Sequence, residues 1–197
     1  MVVVKTLSEL LSPEAYGEKE KAEKNEYIQG KLVQMDGASA NHHLIANNFS
    51  TLLWNLLTKK GYKIYQGDLR VINEDRSSFV YPDIVVVKGE PEFADTESDT
   101  IFNPMLVVEV LSEKTAELDR TAKFEIYQGI SSVQEYVLVY ENKYGIERYF
   151  RNGDEWLYTS RTGIQSAIPL KSIDLQIELQ DIYEAVEFRS ANTFGKK

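Results

Sequence analysis

The chain has 197 residues, 43% hydrophobic and 27% charged, enough for one domain with a continuous core and a tight fit for two. It has no cysteine and two histidines, the adjacent His42 and His43, which excludes disulfides, thiolate chemistry and a three-histidine zinc site within one chain. A formal net charge of −9 counts against tight binding to a phosphate backbone, although carboxylates that hold a metal ion add to that sum and are neutralised by it.

The N-terminus, Met1-Val2-Val3-Val4-Lys5, lacks the basic lead and long apolar stretch of a secretory signal. The longest apolar runs, such as Ile84–Val87 and Met105–Val108, are far below the roughly 18 residues of a membrane span, so a cytoplasmic protein that crosses no membrane is expected. Ser12-Pro13-Glu14 reads as a capped helix start leading into an exposed helix over Glu14–Glu26. Tyr27–Met35, broken by Gly30, reads as a strand or hairpin. From about Asn41 to Lys60, Leu44, Ile45, Phe49, Leu52, Leu53, Leu56 and Leu57 recur at helical spacing, with Gly61 as the stop.

Ile64–Val71, Val80–Val87 and Met105–Leu111 are rich in valine, isoleucine and leucine and read as central strands. Thr115–Gln128 reads as a helix closed by Gly129. Tyr136–Tyr140, Ile146–Phe150 and Glu155–Thr159 read as strands, joined by turns at Lys143-Tyr144-Gly145 and Asn152-Gly153-Asp154. A last amphipathic helix is expected over Leu179–Phe188, before a frayed tail at Arg189–Lys197. With no repeat or linker, the pattern is an α/β (α+β) domain with a mixed sheet.

No G-x-G pair and no glycine-lysine-serine/threonine sequence is present, which removes the dinucleotide fingerprint and the P-loop. The chemistry therefore rests on acids in unusual places. Glu109 interrupts Met-Leu-Val-Val-Glu-Val-Leu, a run that otherwise reads as a strand buried on both faces. A carboxylate there needs a cation, a hydrogen-bond cage or a proton, and a core ion pair with a lysine or arginine would meet that need as well as a functional site would. Asp83 follows Pro82 at a strand irregularity, where a turn-forming acid is the ordinary alternative. Two carboxylates from adjacent strands can nevertheless share one hard cation. Lys123 has Asp119 and Tyr127 four positions to either side; it forms either a surface pair with Asp119 or a charge directed at the two acids. A Ser39–His42 nucleophile pair has no orienting acid in the sequence and is set aside.

Pro82-Asp83, Leu106-Val107-Val108-Glu109-Val110-Leu111-Ser112, Asp119, Lys123, Tyr127, Gly129 and Glu135-Tyr136 together resemble the Uma-two family of restriction-endonuclease-like proteins. Glu26-Tyr27-Ile28-Gln29-Gly30-Lys31-Leu32, Ala38-Ser39 and His42 fit the same pattern, so the likeness spans about residues 20 to 140. The resemblance implies one restriction-endonuclease-like domain over 1–197, with its core at about 20–188 and its sheet flanked by helices. The family it resembles is assigned to the PD-(D/E)XK nuclease superfamily, in which an aspartate and a second acid bind Mg²⁺ or Mn²⁺. Asp83 and Glu109 fall at those two positions. Two residues past Glu109 stands Leu111 where the superfamily pattern has lysine, and the resemblance implies a lysine displaced to the following helix, Lys123. Glu26 is implied as a further acid, from the first helix, and His42 as a lining residue.

The function so implied is metal-dependent endonucleolytic hydrolysis of nucleic acid, DNA before other substrates, by a homodimer; Tyr136–Tyr158 either supplies the interface or is simply the outer half of the domain core. The alternatives are a catalytically inactive binding or assembly module of the same fold, and a phosphodiesterase for a small phosphorylated molecule, which suits an acidic exterior better.

Overall fold

The computed structural model of the chain describes residues 25–35, 37–94, 96 and 98–188. The expected helix over Glu14–Glu26 and the tail Arg189–Lys197 lie outside the described residues, except for Asn25 and Glu26, which belong to a strand. Glu26 thus comes from a strand and not from a helix.

Strands β1 (Asn25–Ile28) and β2 (Lys31–Gln34) form a hairpin in which Ile28 pairs with Lys31. The two turn residues, Gln29 and Gly30, have φ of 48° and 84°. This doubly left-handed geometry matches the twist of the strands and is the reason a glycine stands there. Helix α1 (Ala40–Leu57) begins where the Ser39 hydroxyl accepts the His42 N–H at 3.0 Å. It ends through a 3₁₀ turn at Thr58–Lys60 and Gly61, whose φ of 83° suits the expected stop. Its apolar stripe buries Ile45, Phe49, Leu53 and Leu57 completely, each contributing about 1.5–3 kcal/mol of transfer free energy.

The next two apolar runs are each divided between two sheets. Ile64–Val71 becomes β3 (Tyr62–Gln66) and β4 (Arg70–Ile72), and Val80–Val87 becomes β5 (Ser78–Val80) and β6 (Ile84–Lys88). Both breaks fall at the same place, because the Gly67 N–H donates to the Asp83 carbonyl at 3.0 Å. After β7 (Thr100–Ile101), β8 (Leu106–Leu111) is buried along its whole length.

The expected helix after β8 has three parts: α2 (Ala116–Leu118), a π-helical turn (Asp119–Lys123) and α3 (Phe124–Gly129). Gly129 is its last helical residue, and the cap is extended Ile130. This segment crosses to β9 (Glu135–Tyr140), which lies parallel to β8. The hairpin β10 (Gly145–Asn152) and β11 (Glu155–Thr162) completes a mixed six-stranded sheet of order β11-β10-β9-β8-β6-β3. A second sheet has the order β2-β1-β5-β4-β7. The sequence pattern misses the hairpin β12 (Ala167–Leu170) and β13 (Leu175–Glu178). The expected helix over Leu179–Phe188 forms only as α4 (Leu179–Ile182), because Ala185 takes a φ of 59°, which no helix continues through.

The six-stranded sheet has an apolar cluster on each face. Ile84, Val86, Val108 and Val110 pack with α1, and Val85, Val87, Val107 and Leu111 pack with Ile126 and Tyr127. This alternation puts the side chain of Glu109 on the second face, beneath the crossover.

Candidate functional site

Strands β6 and β8 run antiparallel with Ile84 opposite Val108 and Val86 opposite Leu106. Asp83 stands immediately before β6 and Glu109 immediately after Val108 in β8, so the two acids fall at the same end of this pairing. The approach is fixed on both flanks of Asp83. Its Oδ2 accepts the Val110 N–H at 2.7 Å, and Glu26 Oε1 accepts the Tyr81 N–H at 3.0 Å, just before Pro82. On the α1 side, His42 Nε2 lies 2.8 Å from Asp83 Oδ1.

Lys123 is 5% exposed and lies at the centre of three buried acids. Its Nζ lies 2.8 Å from Glu26 Oε1, 2.9 Å from Glu109 Oε1 and 3.5 Å from Asp119 Oδ1. The Tyr127 hydroxyl donates to Glu109 Oε1 at 2.8 Å, and the Tyr136 hydroxyl donates to the Asp119 carbonyl at 3.0 Å. The Asp119–Lys123 contact is therefore a core pair and not a surface one. The π-helical turn carries both residues inward; such turns are frequent at functional sites.

Glu26, Glu109 and Asp119 share the Lys123 ammonium. Burial raises the Glu109 carboxyl, Lys123 pulls it down, and Asp119, Asp83 and Glu26 push it up again, leaving it well above the ordinary carboxylate range. Burial also raises Asp119, against the pull of Lys123. For Lys123 burial opposes the charge, but Glu109, Glu26 and Asp119 outweigh it and hold the amine well above its usual value. Lys123 is thus a fixed ammonium at neutral pH and cannot accept a proton there. Burial opposes the charge on His42 as well, and the hydrogen bond and charge of Asp83 more than offset it.

These groups line one cavity of about 730 Å³, whose wall includes Glu26, His42, Asp83, Glu109, Asp119 and Lys123. All five residues singled out from the sequence meet there. The adjacent His43 is also part of the wall. Ser39 and His42 do not form a nucleophile pair: the Ser39 hydroxyl caps α1 and donates to Glu141 Oε2 at 2.6 Å, while the His42 ring turns to Asp83. Sequence reasoning missed Glu141, which no motif marks, and the bond from the Tyr127 hydroxyl to Glu109. The i+4 spacing of Tyr127 from Lys123 had already put it on the correct face. Glu135 lies elsewhere, binding the Lys171 and Ser172 N–H groups at 3.0 and 3.1 Å, and serves the C-terminal hairpin.

A divalent cation fits this donor set. Among the described residues Asp119 Oδ1 is buried without a hydrogen-bond partner, and Asp83 and Glu109 present carboxylates to the same cavity. Among the described residues no group of three or more histidines, aspartates or glutamates is placed to hold a metal ion by itself. A hard ion such as Mg²⁺ is commonly held by one or two carboxylates, with water and substrate phosphate completing its shell.

Residues 9–180 match the family described as Uma2, "Putative restriction endonuclease". The chain belongs to the Uma2 family. It is similar to two proteins of Synechocystis sp. that are described as uncharacterized. One, sll1609, is 38% identical over 170 residues, covering 85% of this chain and 96% of that protein. The other, slr1290, is 34% identical over 181 residues, covering 90% and 94%. The fold is shared with a crystal structure described as a putative nuclease of DUF820 from Anabaena variabilis. The TM-score is 0.72 at 15% identity, covering 90% of this chain and 99% of that one. The restriction-endonuclease-like fold expected of a Uma2 member is thus present. No helix among the described residues is long and apolar enough to cross a membrane.

Proposed function

We propose that the chain is a divalent-cation-dependent nuclease that hydrolyses phosphodiester bonds at the cavity holding Asp83, Glu109 and Lys123. The observation that carries this reading is that Asp83, just before β6, accepts the amide next to Glu109 of β8, so that both acids line one cavity. Family membership and the fold of the Anabaena protein support it. Asp83 and Glu109 would hold Mg²⁺ or Mn²⁺, which supplies a bound water of lowered pKa and neutralises phosphate charge. Tyr127 fixes Glu109, and His42 fixes Asp83. Lys123 keeps Glu26, Glu109 and Asp119 clustered and offsets charge developing on the phosphoryl oxygens. Hydrolysis in the sense of the superfamily leaves a 5′-phosphate and a 3′-hydroxyl.

A second reading is favoured by one observation: Glu109 is satisfied by Lys123 and Tyr127, and Asp83 by His42 and Val110, with no ion required. A binding module of nuclease ancestry would look like this. Cleavage assays with plasmid, single-stranded nucleic acid and a small phosphodiester, with Mn²⁺ or Mg²⁺ and then with chelator, separate the readings. The nuclease reading expects cation-dependent cleavage that falls at least about a hundredfold in Asp83→Ala and Glu109→Ala. Equal cleavage by wild type and both variants would discard it. Mn²⁺ affinity that is the same in all three proteins would favour the module.

A further inference from the structure

The cavity that holds the acids adjoins a second one, of about 370 Å³. Ser39, Glu141 and Asn142 belong to the walls of both. The Ser39 hydroxyl donates to Glu141 Oε2 at 2.6 Å and so ties the start of α1 to the turn after β9 at that shared wall. On its far side the second cavity is bounded by Asn41, Glu187 and Phe188. Asn41 Nδ2 donates to the Glu187 carbonyl at 3.0 Å, and the Tyr144 ring meets that of Phe188 edge-on with centroids 4.7 Å apart, which fixes this far wall.

The charged groups of the site are deep. Glu26, Glu109, Asp119 and Lys123 are each no more than 5% exposed, and the side chain of Asp83 is 23% exposed. A phosphate oxygen that ligates a hard cation there has to come within about 2.0–2.6 Å of it. At about 730 Å³ the larger cavity has the volume of a small-molecule site. It is too small to admit a B-form duplex, whose major groove alone is about 12 Å wide. Duplex binding also draws its affinity from many lysine and arginine contacts to phosphate, which a chain of net charge −9 is poorly equipped to make. A single strand is narrower, and its unstacked bases offer faces and edges to uncharged protein groups.

We infer that the site takes single-stranded nucleic acid laid through both cavities, with the scissile phosphate at Asp83 and Glu109 and an adjoining base against Phe188. This rests on the nuclease reading above and narrows its substrate. The Glu141 carboxylate at the shared wall repels phosphate, so the second cavity receives the base and not the backbone. There the base stacks on the Phe188 ring and presents its edge to the Asn142 amide. In the larger cavity Gln66, held by the Ser50 hydroxyl at 2.6 Å, offers a further amide to the nucleotide beside the scissile phosphate. A small phosphodiester would fill the larger cavity alone. The joined pair suits a chain that continues past the reacting group.

Fluorescence anisotropy of the full chain in Ca²⁺, a hard ion with oxygen ligands, reads binding apart from cleavage. The probes are labelled oligothymidylate, labelled oligouridylate and a blunt duplex containing the thymidylate strand, and the first two decide which sugar is accepted. The accepted strand is expected to bind at least about tenfold more tightly than the duplex, which could enter only by extruding a nucleotide. Phe188→Ala is expected to weaken strand binding about tenfold, and Phe188→Tyr, which keeps an aromatic face, to leave it near the wild-type value. Asn142→Asp, at an exposed position between β9 and β10, adds a carboxylate at the shared wall and is expected to weaken it as well. Duplex bound as tightly as strand overturns the inference, and so does strand binding indifferent to both Phe188→Ala and Asn142→Asp. A chain that binds neither strand, whether or not it cleaves a small phosphodiester, overturns it too. The Asn142 variant decides the matter if Phe188→Ala fails to fold. Strand binding of the expected kind without cleavage of any substrate would refute the nuclease reading alone, whereas duplex cleaved as fast as strand would refute this inference and keep that reading.

Discussion

Asp83 is bonded through Oδ2 to the N–H of Val110, at 2.7 Å, so one acid of the pair is fastened to the backbone next to the other. An amide oxygen can accept the same bond, whereas it is a poor substitute for a carboxylate toward a hard cation. Asp83→Asn is therefore expected to keep folding stability within about 1 kcal/mol while losing Mn²⁺ affinity. Urea unfolding and calorimetric titration read the two effects separately. A variant that binds Mn²⁺ as the wild type does would remove Asp83 from the proposed ligand set.

Three buried carboxylates share the Lys123 ammonium. Removing one partner of a buried ion pair costs about 3–5 kcal/mol because the remaining charge stays buried, and Lys123→Met is expected to lose that much in urea unfolding. Adding Glu109→Gln to Lys123→Met removes one of the stranded acids and should recover part of the loss. Strict additivity of the two substitutions would count against the coupling.

Tyr127→Phe leaves the ring in place and deletes the donor to Glu109 Oε1. Leaving a buried acceptor without its donor costs about 1–3 kcal/mol. The loss should appear as a lower unfolding midpoint with an unchanged m-value. Phe in place of Tyr136, whose hydroxyl reaches only the Asp119 carbonyl, should cost less.

Glu147 gives the protein an acid-sensitive point away from the cavity. Burial raises its carboxyl, but the two hydrogen bonds from Arg120, at 2.8 and 3.2 Å, that from Tyr140, and the charges of Arg120 and Lys143 bring it below the ordinary glutamate value. A depressed folded value adds stability above the unfolded pKa of about 4.3, and that stability is lost as pH falls through the lower folded value. Unfolding free energy measured from pH 6 down to about pH 3 should fall less steeply in Glu147→Gln than in the wild type. Identical slopes would show that the Arg120–Glu147 pair is not the cause.

The chain's sequence made β8 and the acid within it readable, because a charged residue in a fully apolar run has few structural explanations. Helix α1 was equally plain from its period and from Gly61. Strand partners were not readable. Ile64–Val71 and Val80–Val87 each look like one strand, and only the bond between Gly67 and the Asp83 carbonyl shows that the chain changes sheets there. The hairpin β12–β13 carries too few consecutive apolar residues to register as strands, although Ile168, Leu170 and Ile177 are buried. At the site, residue types were readable and their partners only in part. The Lys123–Glu109 pair follows from an acid that needs a cation, but the contact of Glu26 with Lys123 depends on how the two sheets meet, which no local pattern encodes.

The β1–β2 hairpin contributes no strand to the six-stranded sheet, yet through Glu26 it reaches both Lys123 and the Tyr81 amide. Proteolytic trimming of the chain past residue 26 would thus be felt on both sides of the cavity at once. The ammonium would lose its nearest counter-ion, and the peptide group leading into Pro82-Asp83 its acceptor. The hairpin acts as a latch: it adds no strand to the main sheet, yet its Glu26 ties the lysine on one side of the cavity to the backbone on the other.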